Sequence, residues 1–313
     1  MQAMVLAAGF GTRLRPLTEM LPKPAVPVAN MPALAFSIGH LARAGVNHIV
    51  INTHYLPAEI EASLSGFVPS GLRLSFVHEE ALLGTGGGLA NAWHLFDDSP
   101  VIVMNSDIVY GPDIQALLLC HREHDAVATM SLRSDPKAKA YGSVELDPEG
   151  RVRKLLGRPE SISSERLTPL MFAGVHVLSP RAREFLPDEG CIVRKCYMPW
   201  VEGGARVAGV IEASPWHDLG SVQLYFETCL RLASGEIQWP GLTPDATRGL
   251  IHPSASIDAS ASVEACIIGR GCQVGPGIKL ERCILWPETH ASQSASDVIL
   301  TPRGPIDPQS PKA

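Results

Sequence analysis

Leu6-Ala-Ala-Gly-Phe-Gly-Thr-Arg-Leu-Arg-Pro-Leu-Thr18 follows the apolar pair Met4-Val5 and precedes Pro22-Lys-Pro24. An apolar run that breaks into Gly9-Phe-Gly-Thr12 reads as a strand feeding a tight loop, because glycines let backbone N–H groups turn inward around an anion. Arg13 comes next, and a guanidinium there can fork onto two phosphate oxygens. Lys23 is held between two prolines that limit backbone freedom. The stretch is therefore expected to be a polyphosphate loop at the carboxyl end of a first strand. Two other phosphate loops are excluded. There is no Gly-Lys-Ser/Thr ending for a Walker loop, and Leu14 takes the place of the third glycine in the dinucleotide fingerprint.

Outward from this loop, strand-like runs alternate with helical patterns. Met4 to Leu6 is followed by a helix near Pro32 to Ala44 and by His48 to Asn52. Leu72 to Val77, a helix near Gly87 to Phe96, and Val101 to Asn105 continue the series. Strands alternating with helices of this length imply right-handed crossovers and a mostly parallel, doubly wound α/β sheet, with ligands at the carboxyl ends of its strands. Between Tyr141 and Val177 the pattern becomes hairpin-like: Val144 to Leu146 and Val152 to Leu155 flank Asp147-Pro-Glu-Gly150, and Phe172 to Val177 follows. This insertion is expected to wall a pocket. A helix from about Val222 to Ser234 closes the domain.

A different period starts after Trp239-Pro-Gly-Leu-Thr-Pro244. Ile251, Ile257 and Val263 are six residues apart, and after a five-residue step Ile268, Val274 and Leu280 repeat the spacing. That period marks hexapeptide repeats of a short left-handed parallel β-helix, here of two coils. The expected division is a nucleotide-handling domain over residues 1–236, a linker over 237–250, the β-helix over 251–286, and a mostly irregular tail over 287–313. Within the tail, Asp297 to Thr301 is a candidate further strand.

Composition narrows the function. The chain of 313 residues has 45% hydrophobic residues and a formal charge of −6, which suits a soluble globular protein and argues against a general nucleic-acid binder. Seven scattered cysteines without a CxxC pair suggest neither a disulfide framework nor a zinc site. The apolar runs are strand-sized, so no membrane span is expected, and with no basic region before the first apolar run the expected compartment is the cytoplasm.

LAAGFGTRLRPLT with the following PKPAVPV resembles the N-terminal signature of the sugar-1-phosphate nucleotidylyltransferases, the NDP-sugar pyrophosphorylases. Glu79-Glu-Ala-Leu-Leu-Gly-Thr-Gly-Gly-Gly88, Asn105-Ser-Asp107 and Trp216-His-Asp-Leu-Gly220 fall in the order that family requires, and the hexapeptide tail extends the likeness over nearly the whole chain, closest to mannose-1-phosphate guanylyltransferase-like members. The resemblance implies a glycosyltransferase A-like nucleotidyltransferase domain in which a sugar 1-phosphate attacks the α-phosphorus of a nucleoside triphosphate, giving NDP-sugar and pyrophosphate. Two anions must meet, so charge neutralisation and alignment are the main catalytic tasks.

By that resemblance Asp107 and Asp218 bind Mg2+, Arg13 grips the β- and γ-phosphates and the departing pyrophosphate, and Lys23 contacts the phosphate under attack. Leu6, Ala7, Ala8, Gly9, Gly11, Thr12 and Arg13 line the nucleotide, with Glu79, Gly84 and Thr85 at the base. The glycines of Gly84 to Gly88 are expected to let backbone approach that base. Glu79 stands where thymidylyl- and uridylyl-transferring relatives often carry glutamine. A carboxylate only accepts hydrogen bonds, which suits the adjacent donors of guanine and favours GTP. Muramate-type uridylyltransferases with an acidic residue here use UTP, so the base stays open.

For the sugar phosphate, Tyr141, Gly142, Arg158, Glu160 and Gly174 are the expected contacts. The chain departs from many relatives in having Gly157-Arg-Pro159 where they have Glu-Lys-Pro, which leaves the sugar unnamed. A homo-oligomer is expected because the family's β-helices often pack subunits together. The alternatives are uridylyl, thymidylyl or cytidylyl transfer, or a regulatory paralogue that binds a nucleotide-sugar without turning it over. His252, His290 and Cys272 raise an acyltransferase only weakly, since two coils are too few to build that site.

Overall fold

The computed structural model describes residues 1–136, 138 and 143–310. The chain forms two compact units, one of Met1–Phe10 and Leu34–Trp216, the other of Gly11–Ala33 and His217–Ala313. These units do not follow the expected division of the sequence at residue 236. The chain leaves the first unit inside the glycine loop, returns at Leu34, and leaves again after Trp216.

The first unit is built on a nine-stranded sheet. Its strands are β1 (Gln2–Leu6), β2 (His48–Thr53), β3 (Arg73–His78), β4 (Val101–Asn105), β5 (Ala128–Arg133), β6 (Ser143–Leu146), β7 (Val152–Leu155), β8 (Thr168–Leu178) and β9 (Val207–Ile211). The order is β7-β6-β8-β4-β1-β2-β3, with β5 beside β8 and β9 beside β5. β1 runs parallel to β2 and β4, and β2 to β3. β1 is apolar without alternation because both faces are covered. Ala3 and Val5 pack with Leu34, Ile38 and Leu41 of α1 (Ala33–Arg43), whereas Met4 packs with Leu89, Ala92 and Trp93 around the end of α3 (Gly84–Ala92). α2 (Pro57–Ser63) and α4 (Ile114–Glu123) complete the crossovers, the latter capped by the Asp113 carboxylate on the Ala116 N–H at 3.0 Å.

The hairpin insertion adds antiparallel strands, so the sheet is mixed. β8 holds β6 with Thr168–Met171 and β4 with Val175–Leu178. Its register shifts between Phe172 and His176, around Gly174 with φ +81°. A bulge there lets one strand change partners.

In the second unit residues 11–33 pack with α5 (Val222–Ala233) and a parallel β-helix. The Tyr225 hydroxyl of α5 donates to the Pro27 carbonyl at 2.6 Å and accepts from Trp286 Nε1 at 3.0 Å. Asn30 Nδ2 donates to the Ile268 carbonyl at 3.1 Å. The loop therefore rests on the β-helix across more than two hundred residues of sequence.

The β-helix has three stacks of strands. One is β10 (Gly249–Ile251), β13 (Cys266–Ile268), β16 (Ile284–Leu285) and β19 (Ile299–Thr301); the second is β11 (Ser256–Ile257), β14 (Gln273–Val274) and β17 (His290–Ala291); the third is β12 (Ser262–Glu264), β15 (Lys279–Glu281) and β18 (Ala295–Ser296). Ile251, Ile268, Leu285 and Leu300 stack in register, as do Ile257, Val274 and Ala291. β20 (Gly304–Ile306) closes antiparallel on β19. Residues 290–301 of the expected irregular tail form a third coil instead. Alanines 291 and 295 replace large apolar residues there, and the step from Leu285 to Leu300 is two residues shorter than the step from Ile268 to Leu285, so the period fades from the sequence. All seven cysteines are free thiols. Among the described residues no helix is long and apolar enough to cross a membrane.

Candidate functional site

The expected site residues divide between the two units. Leu6, Ala7, Ala8, Gly9, Glu79, Gly84, Thr85, Asp107, Arg158, Glu160 and Gly174 lie in the first; Gly11, Thr12, Arg13, Lys23 and Asp218 lie in the second. Tyr141 and Gly142 fall outside the described residues.

In the first unit the carboxyl ends of β1, β2, β3 and β4 gather the relevant loops. Leu6 pairs in register with Asn52 and Asn105, so the glycine loop, the end of β2 and the Asn105-Ser-Asp107 turn start at one level of the sheet. The Ser106 hydroxyl donates to the Leu6 carbonyl at 2.7 Å, which fixes the turn carrying the half-buried Asp107. Asn105 covers Gly174 on the other side. A Cβ at Gly174 would lie 2.8 Å from Asn105 Nδ2, and with φ +81° the position admits only glycine comfortably.

Glu79 is tied into the protein itself. It is 2% exposed, its Oε1 accepts from Asn52 Nδ2 at 2.6 Å, and its Oε2 accepts from the Leu83 N–H at 3.0 Å. Each oxygen has a protein donor, which anchors the carboxylate beneath the Gly84–Gly88 turn. The glycines after Glu79 pack closely against the protein itself. Residues 84–88 are the first turn of α3, and a Cβ would sit 2.8 Å from the Gly190 carbonyl at Gly84, 2.8 Å from Pro187 Cγ at Gly86, and against the Asp188 carbonyl at Gly87. The Gly86 N–H donates to Gly190 O at 2.8 Å, the Gly190 N–H to Leu83 O at 2.7 Å, and the Ile192 N–H to Thr85 Oγ1 at 2.9 Å. The Gly-Thr-Gly-Gly run thus makes room for residues 187–190, a neighbour no local pattern announces.

In the second unit the residues expected to handle phosphate converge. Gly11 has φ +62°, and a Cβ there would lie 2.8 Å from Lys23 Cβ and 2.9 Å from Thr18 Cγ2. The Thr18 hydroxyl donates to the Gly11 carbonyl at 3.0 Å. Gly11 is therefore required for Lys23 to lie along the loop. Gly220 does the same for the other pair: a Cβ there would lie 2.7 and 2.9 Å from the Asp218 carboxylate oxygens and 2.8 Å from Arg13 Nη2. Arg13 and Asp218 meet over one glycine, although 205 positions separate them in the chain. Ser221 caps α5 on the Leu224 N–H at 3.3 Å and fixes the end of this turn.

On the sugar side, Arg158 Nε lies 3.7 Å from Glu160 Oε1, with the two side chains 56% and 79% exposed. They form a solvated pair at the end of the hairpin. The residues that sequence reasoning missed are Asn52, which holds Glu79, and Asp188 to Gly190, which hold α3. Asn52 ends the apolar run of β2 as its first polar residue, and that was the available signal.

Comparison with known proteins gives the family. The nucleotidyl transferase family matches residues 2–235. The chain is 31% identical over 288 residues to the mannose-1-phosphate guanylyltransferase of Mycobacterium tuberculosis, covering 91% of this chain and 79% of that protein. It is 30% identical to a mannose-1-phosphate guanyltransferase of Schizosaccharomyces pombe, covering 82% and 73%. The crystal structure of HddC from Yersinia pseudotuberculosis complexed with GMP-PN superposes with a TM-score of 0.61 at 23% identity, over 73% of this chain and 97% of that one. The chain belongs to the nucleotidyl transferase family. Within it, the chain is a sugar-1-phosphate nucleotidylyltransferase.

Proposed function

We propose that the protein transfers a guanylyl group from GTP to mannose 1-phosphate, giving GDP-mannose and pyrophosphate. The observation that carries this reading is the convergence of Arg13 and Asp218 over Gly220, in the same unit as the Gly11 to Lys23 loop. A fixed guanidinium beside a carboxylate gives one group for phosphate oxygens and one for a metal ion.

A sugar-phosphate oxygen attacks the α-phosphorus while the bond from that phosphorus to the bridging oxygen of the β-phosphate breaks. Arg13 holds the β- and γ-phosphates and takes up the charge that grows on the leaving pyrophosphate. Lys23, extended along Gly11, places its ammonium on the phosphate under attack. Ala8 and Gly9 carry the backbone of the loop past the triphosphate; a Cβ at Gly9 would meet no atom within 4 Å, so its glycine serves ligand approach rather than internal packing.

Asp107 and Asp218 would hold Mg2+. Among the described residues no group of three or more His, Cys, Asp or Glu could hold a metal ion, and a donor set of two carboxylates suits a cation that keeps positions open for phosphate and water. When bound, that ion supplies Lewis-acid stabilisation of phosphate charge.

With the Glu79 carboxylate engaged inside the fold, the preference for guanine rests on the guanylyltransferase relatives. Mannose rests on them too, and Arg158, Glu160 and Gly174 are the contacts proposed for it. The test is pyrophosphate release from each of the five common nucleoside triphosphates against several sugar 1-phosphates with magnesium. GTP with mannose 1-phosphate should be fastest. A faster second pair would reassign the substrates, and no release from any pair would remove the enzyme reading.

A further inference from the structure

Asn52 does two things at once. Its Oδ1 accepts from the Ala7 N–H at 2.9 Å, and its Nδ2 donates to Glu79 Oε1 at 2.6 Å. Amide orientation is fixed by these partners, because an N–H can only donate and a carboxylate only accept. Glu79 is held on every polar atom: its N–H donates to Thr53 O at 2.8 Å, its carbonyl accepts from His54 Nδ1 at 2.7 Å, and its second carboxylate oxygen takes the Leu83 N–H. Asn52 is 3% exposed, Glu79 2% and Ala7 3%. A Cβ at Gly88 would lie 2.7 Å from Glu79 Oε1 and 2.8 Å from Asn52 Nδ2, so α3 is seated directly on this hydrogen bond.

The chain Ala7–Asn52–Glu79–Leu83 therefore runs from the last residues before the glycine loop to the first residue before the base loop, across the ends of three adjacent parallel strands. A buried carboxylate needs this much donation to stay in place. We infer that Asn52 is a positioning residue for nucleotide binding, which uses the Glu79 carboxylate to lock the triphosphate loop and the base loop at one separation. The inference rests on the reading of those two loops as nucleotide loops. Asn52 touches no substrate itself; it acts through Ala7 and Glu79.

The geometry supplies a test by exchange. Asn52→Asp places two carboxylates against each other and removes the donor to residue 79. Glu79→Gln turns one of two acceptors into a donor facing a donor. The double variant N52D/E79Q restores all three hydrogen bonds with the charge moved from position 79 to position 52. The carboxylate introduced at position 52 accepts from the Ala7 N–H and from the side-chain amide introduced at position 79, and the carbonyl oxygen of that amide accepts from the Leu83 N–H. Calorimetric binding of magnesium GTP in the absence of sugar phosphate is the primary readout, with magnesium UTP in its place if the wild type binds only that. Each single variant should weaken the Kd about tenfold or more, and the double should return it to within about threefold of wild type. In turnover, KM for the triphosphate should rise in the single variants with KM for the sugar phosphate nearly unchanged.

A brace that only stabilised the fold would lower the melting temperature without this split. If a single variant melts below the assay temperature, the double variant decides alone: it must fold and bind as the wild type does. Wild-type affinity in both single variants, or a double variant no better than the worse single, overturns the inference. Wild-type binding of GTP without formation of GDP-mannose would defeat the proposed substrate pair while leaving this test intact.

Discussion

The two units brace their shares of the nucleotide machinery in opposite ways. Behind the base loop stands a buried carboxylate, Glu79, fed by amide donors from neighbouring strand ends. Behind the lysine loop stands a neutral relay, Trp286 to Tyr225 to the Pro27 carbonyl, anchored in the β-helix. A charged anchor gives strong, short hydrogen bonds but tolerates no missing donor. A neutral relay is more forgiving, yet it makes a loop near residue 23 depend on residues near 286. The β-helix is thus part of what shapes the phosphate loop.

The severest way to break the comparison is to remove the carboxylates proposed to hold the metal, Asp107 in the first unit and Asp218 in the second. Asp107→Ala and Asp218→Ala should each lower pyrophosphate release by about a thousandfold or more. Unequal losses would show that one unit carries the metal alone, and retained activity in either variant would cancel that residue's assignment. Arg13→Ala and Lys23→Ala should follow with about a hundredfold loss, seen mainly in kcat if they act on charge that grows in the transition state.

Glycine replacements sharpen the contrast between packing and ligand approach. Gly11→Ala, with φ +62° and Lys23 Cβ at 2.8 Å from the new atom, should lower kcat about tenfold to a hundredfold and cost about 1–3 kcal/mol of stability. Gly9→Ala meets no protein atom within 4 Å, so its melting temperature should stay near wild type while KM for the triphosphate rises. Equal destabilisation by both would contradict the division of roles. Tyr225→Phe leaves Trp286 Nε1 and the Pro27 carbonyl without their shared partner, and thermal or urea unfolding should show a loss of about 1–3 kcal/mol.

The smallest effect concerns pH. Burial pushes the imidazoles of His176 and His121, both in the first unit, down to about 3 and about 4. These folded-state values lie below the ordinary one of about 6.5. As pH falls below that value the unfolded chain binds protons that the folded chain refuses, so stability present above it is lost progressively toward pH 3 to 4. His176, whose two ring nitrogens have no hydrogen-bond partner among the described residues, is the cleaner probe. His176→Phe should flatten the fall in stability by up to about 1.4 kcal/mol per pH unit across that range. An unchanged slope would show that the acid sensitivity lies elsewhere.

Much of the fold was legible because it is periodic. The apolar runs of β1, β2 and β4 are continuous because both faces are buried, and the six-residue spacing of Ile251, Ile257 and Val263 repeats because each coil stacks on the next. The third coil was not legible, since Ala291 and Ala295 fill inward positions and the coil is shortened. The roles expected for Arg13, Lys23, Asp107 and Asp218 came from the likeness of their motifs to a known family, and the variants above test them.

What the sequence by itself determined is therefore the sheet and the repeats, which follow from local periodicity, and, through the likeness of its motifs to a known family, the kind of reaction. Tertiary structure alone decided that Glu79 lies under the base loop, that Gly84 to Gly87 make room for residues 187–190, and that residues 11–33 join the β-helix unit. The reason is physical. Whether a carboxylate is an open acceptor or a filled one, and whether a glycine faces ligand or backbone, depends on atoms tens to hundreds of residues away, and no local pattern carries them.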